Sequence, residues 1–75
     1  MIFGKEKSLR DEVINIGKKL YELRLVAAHS GNLSARIDDR NILITATGAS
    51  LGSLTNEDIL KVDLTNPEDL KNKRL

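Results

Sequence analysis

Leu9, Val13, Ile16, Leu20 and Leu23 recur at spacings of four, three, four and three residues. That rhythm lines five apolar side chains along one side of an α-helix, with Lys18, Lys19 and Glu22 off the stripe. Such a helix needs a surface to cover it, and the sequence that follows offers only short alternating runs. Leu33, Ala35 and Ile37 alternate with polar residues, Ile42-Leu43-Ile44-Thr45 is rich in β-formers, and Ile59 to Leu64 alternates again with Leu60, Val62 and Leu64 on one face. The simplest reading is an α+β arrangement: one amphipathic helix, an antiparallel hairpin across the polar turn Asp38-Asp39-Arg40-Asn41, and a third strand.

Local signals place the boundaries. Ser8-Leu9-Arg10-Asp11 reads as a helix start, because a serine hydroxyl accepts from free first-turn N–H groups and acids suit that end of the dipole. Gly17 costs about 1 kcal/mol relative to alanine inside a helix and is placed to permit close packing. Arg24 in the last turn suits the negative end. Thr55-Asn56-Glu57-Asp58 is a capping signature for one short helical turn. Asn66-Pro67 marks a turn, and Glu68 to Arg74 reads as an exposed, mostly charged end.

Bulk properties exclude several function classes. At 75 residues the chain is short enough to be marginal without further surface to bury. It has no cysteine, hence no disulfide and no thiolate metal site, and its one histidine, His29, cannot build a multi-histidine site alone. A net charge of +1 argues against a nucleic-acid or anionic-membrane partner. The longest apolar run, Leu25-Val26-Ala27-Ala28, is far short of a membrane span, and Met1-Ile2-Phe3-Gly4-Lys5 lacks a signal peptide's apolar core, so a cytoplasmic protein is expected.

Two small polar loops flank the hairpin. Ser30-Gly31-Asn32 precedes the first strand and Thr47-Gly48-Ala49-Ser50 follows the second, so the hairpin should bring them together in space. Glycine N–H groups, the Asn32 amide and the Thr47 hydroxyl form a donor set suited to a phosphate. On physical grounds alone an ordinary pair of turns competes with that reading. Asp38-Asp39 is more simply a turn than a metal site, His29 more simply a loop or core-edge histidine than a catalyst, and Lys71, Lys73 and Arg74 a solvated end.

Ser30-Gly31-Asn32-Leu33-Ser34-Ala35-Arg36, Ile42-Leu43-Ile44-Thr45-Ala46-Thr47-Gly48 and Leu54-Thr55-Asn56-Glu57-Asp58-Ile59-Leu60-Lys61-Val62-Asp63 together resemble the class II aldolase/adducin pattern. That pattern runs helix, S-G-N-[LIV]-S-x-[RK], a hairpin into [LI]-I-T-P-[ST]-G, then L-x-x-[ED]-D-I and a strand ending in Asp. Order and gaps agree from about Glu12 to Asp63. Ala46 departs from it, where the family usually has proline, which should loosen the loop.

The resemblance implies an α/β fold, the N-terminal part of the αβα class II aldolase domain, with residues 1–75 an incomplete portion. It implies substrate-phosphate binding by Gly31, Asn32, Thr47 and Gly48. Fuculose-1-phosphate aldolase and similar members cleave a ketose phosphate to dihydroxyacetone phosphate and an aldehyde, with zinc on three histidines as Lewis acid and a Glu in an [ST]-[ST/A]-E motif moving the proton. Epimerases and a methylthioribulose-phosphate dehydratase share the scaffold. Neither the Glu motif nor the H-x-H pair occurs here, so no catalytic or metal-binding residue is assigned, zinc is expected only for the complete enzyme, and this stretch alone should be inactive. Family members are commonly tetramers. The competing readings are a non-catalytic, adducin-like binding or assembly module, and an unrelated α+β domain whose loops match by chance.

Overall fold

The computed structural model describes residues 2–27 and 30–72, with side chains described from 5 to 27 and from 30 to 69. His29 and the end of the basic tail, Lys73 and Arg74, lie outside the described residues. Helix α1 spans Ile2–Glu22, strands β1, β2 and β3 span Ser34–Arg36, Asn41–Thr45 and Ile59–Asp63, and helix α2 spans Pro67–Asn72. Short 3-10 turns at Leu51–Ser53 and Asn56–Asp58 join β2 to β3. The sheet is antiparallel in the order β1-β2-β3.

Ser8 does not start α1, which begins at Ile2. Two i,i+4 pairs that exist only in helical geometry bracket it. Lys7 Nζ lies 3.1 Å from Asp11, and Arg10 Nε donates to Glu6 Oε2 at 3.1 Å. A serine in mid-helix is tolerated when its neighbours stabilise both adjacent turns. The helix ends in a Schellman arrangement: Arg24 N–H donates to Tyr21 O at 3.0 Å and Leu25 N–H to Leu20 O at 2.9 Å. Arg24 therefore lies past the last turn rather than in it, in the left-handed region at φ 61°. That conformation costs a non-glycine residue about 1–2 kcal/mol. Arg24→Gly is expected to raise stability by about 0.5–1 kcal/mol after the glycine's greater unfolded-state entropy is subtracted. A thermal melt of the two proteins checks it; a lower melting temperature for the glycine variant would mean that the arginine side chain holds the cap.

The apolar stripe is rotated from the one the spacing suggests. Val13 and Gly17 are buried, whereas Ile16 is 50% exposed and Leu23 62% exposed. Close approach decides this rotation. A Cβ at Gly17 would overlap the Leu51 carbonyl oxygen, so the bare glycine lets α1 settle onto the Leu51–Ser53 turn. On the same contact Tyr21 packs directly over Gly52. Leu51, Leu54, Val13, Ile37, Leu43 and Ile59 form the core, with Leu9, Ile14, Val26, Leu33 and Ala35 around it.

The β3 alternation is also read differently by the structure. Ile59, opposite Thr45, faces α1, while Leu60 and Val62 face away beside Ile44 and Ile42. Strand β3 thus presents apolar groups on both sheet faces, and Val62 is fully buried on the far one. Leu64, assigned to that face, lies past the strand and is 39% exposed. The residues after Asn66 form α2 rather than a plain charged end. The Asn66 side chain accepts from Glu68 N–H at 3.1 Å, Pro67 takes the first position, and the Asp69 carboxylate accepts from Asp63 N–H at 2.6 Å, tying α2 to β3.

Candidate functional site

Strand register brings the two glycine loops to one end of the sheet. Ser34 pairs with Ile44, and the ladder continues one step further, with Thr45 N–H donating to Leu33 O at 3.0 Å. Asn32 is the next residue out on β1, and Thr47 lies two residues beyond Thr45 on the other side. The link between the loops is the Thr45 side chain. Its hydroxyl accepts from Leu33 N–H at 3.1 Å and donates to Asn32 Oδ1 at 3.4 Å.

Each loop has its own reason for its shape. Ser30 N–H donates to Ala27 O at 3.3 Å, and the Ser30 hydroxyl accepts from Ala27 N–H at 3.2 Å. Gly31 follows at φ 91°, with Val26 and Leu51 side chains beneath it. In the second loop Ala49 N–H donates to Ala46 O at 3.1 Å, a β-turn with Thr47 and Gly48 at its centre. Gly48 has φ 82°, as the third residue of a type II turn requires. Ala46 N–H donates to Asp58 O at 2.8 Å, an anchor that a proline at this position could not provide. Gly31, Asn32, Thr47 and Gly48 are all solvent-exposed, while Thr45 between them is 1% exposed. The arrangement offers an anion exposed side-chain donors and two glycines of positive φ beside the buried Thr45.

Among the described residues, the Asp38 carboxylate is occupied in holding the chain's own turn. Asp38 Oδ1 accepts from Arg40 N–H and Asn41 N–H, both at 2.8 Å, so the carboxylate closes the hairpin turn. Those backbone donors, Arg40 first, hold its carboxyl below the usual carboxylate range. Thr65 does the same for Asp63, through its hydroxyl at 2.7 Å and its N–H at 2.9 Å. The Thr55–Asp58 cap forms as the sequence suggests: Asp58 Oδ2 accepts from Thr55 N–H at 2.9 Å. A three-histidine zinc site does not fit this stretch, which has one histidine, and among the described residues no group of three or more His, Cys, Asp or Glu converges. No helix among the described residues is long and apolar enough to cross a membrane.

The class II aldolase and adducin N-terminal domain model matches residues 11–74. The chain belongs to this family. Methylthioribulose-1-phosphate dehydratase of Hahella chejuensis is 50% identical over 58 residues, covering 76% of this chain and 28% of that protein. The Microcystis aeruginosa dehydratase of the same name is 41% identical over 56 residues, covering 75% and 27%. The 3-oxo-tetronate 4-phosphate decarboxylase of Haemophilus influenzae is 36% identical over 55 residues, covering 73% and 26%. Among solved structures, YgbL from Escherichia coli superimposes with a TM-score of 0.72 at 36% identity, covering 77% of this chain and 28% of that one. The class II aldolase fold expected from the motifs is thus the fold of this chain, which spans about a quarter of the length of the curated relatives it matches.

Thr45, read from the sequence only as a strand residue, is the side chain that links the two candidate loops. Its position was the available signal: a polar residue at the inward-facing end of an apolar strand, directly before the loop.

Proposed function

We propose that this chain is the phosphate-gripping, N-terminal part of a class II aldolase-family enzyme acting on a phosphorylated sugar. Gly31, Asn32, Thr47 and Gly48 bind the phosphate. The observation that carries this reading is the joining of the Gly31-Asn32 loop to the Thr47-Gly48 loop through the buried Thr45 hydroxyl, which leaves four exposed positions with donors around one end of the sheet. The relatives' names support it, since a phosphate ester is common to methylthioribulose 1-phosphate and 3-oxo-tetronate 4-phosphate.

The reaction is carried by groups outside this stretch. Zinc, if the whole protein uses it, is held by residues other than these, and its chemistry would be the polarisation of a carbonyl or enediolate oxygen. Fuculose-1-phosphate aldolase-like cleavage of a ketose phosphate is one form of the reaction. Dehydration or decarboxylation is favoured over it by the names of the relatives. Those names are of enzymes, which also favours an enzyme over an adducin-like assembly module. Assembly into a tetramer is proposed for the whole protein by the family's habit alone.

In the whole protein, Asn32→Ala is expected to raise KM for the phosphorylated substrate about tenfold or more, because a hydrogen bond to a charged group is worth about 1.5–3 kcal/mol. An unchanged KM would remove Asn32 from the site. Product analysis with a ketose phosphate separates cleavage, which yields dihydroxyacetone phosphate, from loss of water.

A further inference from the structure

We infer that Thr45 is a positioning residue, whose buried hydroxyl fixes the Asn32 carboxamide with its oxygen inward and its NH2 group outward, toward the phosphate. This deepens the phosphate reading and rests on it.

The inference follows from the bonding capacity of one hydroxyl. Thr45 is 1% exposed, so water is not its partner. One lone pair of Oγ1 is committed to Leu33 N–H at 3.1 Å, a donor whose identity is unambiguous. The hydroxyl hydrogen still needs an acceptor, and a buried O–H without one is costly. Asn32 Oδ1, at 3.4 Å, is the acceptor it finds. An amide has two ends, and once the oxygen is turned to Thr45 the NH2 group is turned away from it. The exposed end of Asn32 is then a double donor, which attracts an anion. The reverse orientation would show the anion a carbonyl oxygen and repel it. Thr45 also ties the two loops mechanically, because the same oxygen binds the backbone just after Asn32 while its own chain leads directly into Ala46-Thr47-Gly48.

The test uses the 15N-labelled whole protein titrated with inorganic phosphate and followed by two-dimensional proton–nitrogen spectra. In the unaltered chain the Asn32 NH2 pair should shift with phosphate. Thr45→Ser keeps the hydroxyl and should bind within about twofold of the unaltered chain. Thr45→Val keeps the shape and loses the hydroxyl; it should weaken binding about tenfold, the equivalent of one hydrogen bond. A folded Thr45→Val that binds phosphate like the unaltered chain, with the same shift of the Asn32 pair, overturns the inference while leaving the phosphate reading intact. An unaltered chain whose two loops ignore phosphate overturns the phosphate reading itself.

Asn32→Asp provides a second measurement should the valine variant unfold. A carboxylate keeps an acceptor for Thr45, so the melting temperature should stay within a few degrees while phosphate binding disappears. A large fall in melting temperature would mean that Thr45 had been held by the NH2 end, which overturns the inference.

Discussion

Gly17→Ala is expected to destabilise the chain by about 1–3 kcal/mol, although helix propensity alone favours alanine by about 1 kcal/mol. The two effects oppose each other, and geometry decides between them. A Cβ at position 17 would overlap the Leu51 carbonyl oxygen and lie 3.1 Å from Leu54 Cδ1. The leucine methyl can turn aside, but a backbone oxygen cannot move without its turn. Helix α1 would have to lift from Leu51–Ser53 and loosen the contact that buries Val13, Leu51 and Leu54. For a domain of this size total stability is on the order of 4–11 kcal/mol, so the loss is a large fraction. Each kilocalorie shifts the midpoint of thermal unfolding by about 4–8 °C. A rise in melting temperature would show that the helix does not approach the turn closely enough to need a glycine.

Arg10→Met is expected to cost about 2–3 kcal/mol. The Arg10 side chain is 17% exposed and joins three separate parts of the chain. Nη1 donates to Ile59 O at 2.9 Å and to both the carbonyl and the side-chain oxygen of Asn56 at 3.1 Å, while Nε donates to Glu6. Glu6 in turn meets Lys61 Nζ at 3.2 Å, which links α1 to β3. Methionine preserves much of the packed stem but leaves the Ile59 carbonyl and the Glu6 carboxylate short of donors. The full penalty for breaking a buried pair is about 3–5 kcal/mol, discounted here because Glu6 retains 24% exposure and a second cation.

The Arg10 effect should depend on pH in a defined direction. Lys61, and after it Arg10, pull the Glu6 carboxyl below its ordinary value against the opposing effect of burial. A carboxylate with a depressed folded-state value contributes stability that is present above its unfolded value and disappears as pH falls through the depressed one. The difference between Arg10→Met and the parent should therefore be largest near neutrality and shrink in acid. Urea unfolding at both pH values checks this, and a difference that grew in acid would contradict the Glu6–Arg10 account.

The elements most legible in the sequence were those fixed by short-range patterns. Leu33 to Ile37 and Ile42 to Thr45 could be placed as strands because alternation, a turn rich in Asp and Asn, and flanking glycines act over a few residues. The Thr55–Asp58 cap was legible for the same reason. What could not be read depended on distant chain. Ser8 looked like a helix start because a cap signal takes no account of Glu6–Arg10 and Lys7–Asp11 pairs that extend the helix past it. Ile16 and Leu23 looked like core because spacing fixes a stripe but not its rotation, and the rotation was set by Leu51 meeting Gly17 from another part of the chain. The face of β3 turned toward α1 was equally hidden, since apolar residues stand on both of its sides. In the site, glycines and Asn32 were legible as types suited to an anion. The role of Thr45 required the register that sets it opposite Leu33.

The phosphate grip is tested most directly by titrating the labelled whole protein with inorganic phosphate and following the backbone amides of this stretch at once. The account predicts that Gly31, Asn32, Thr47 and Gly48 shift together along one saturable curve, with the far end of the sheet around Asp38 and Asp39 unmoved. Shifts confined to one loop, or spread evenly over the lysines and arginines of the surface, would contradict it.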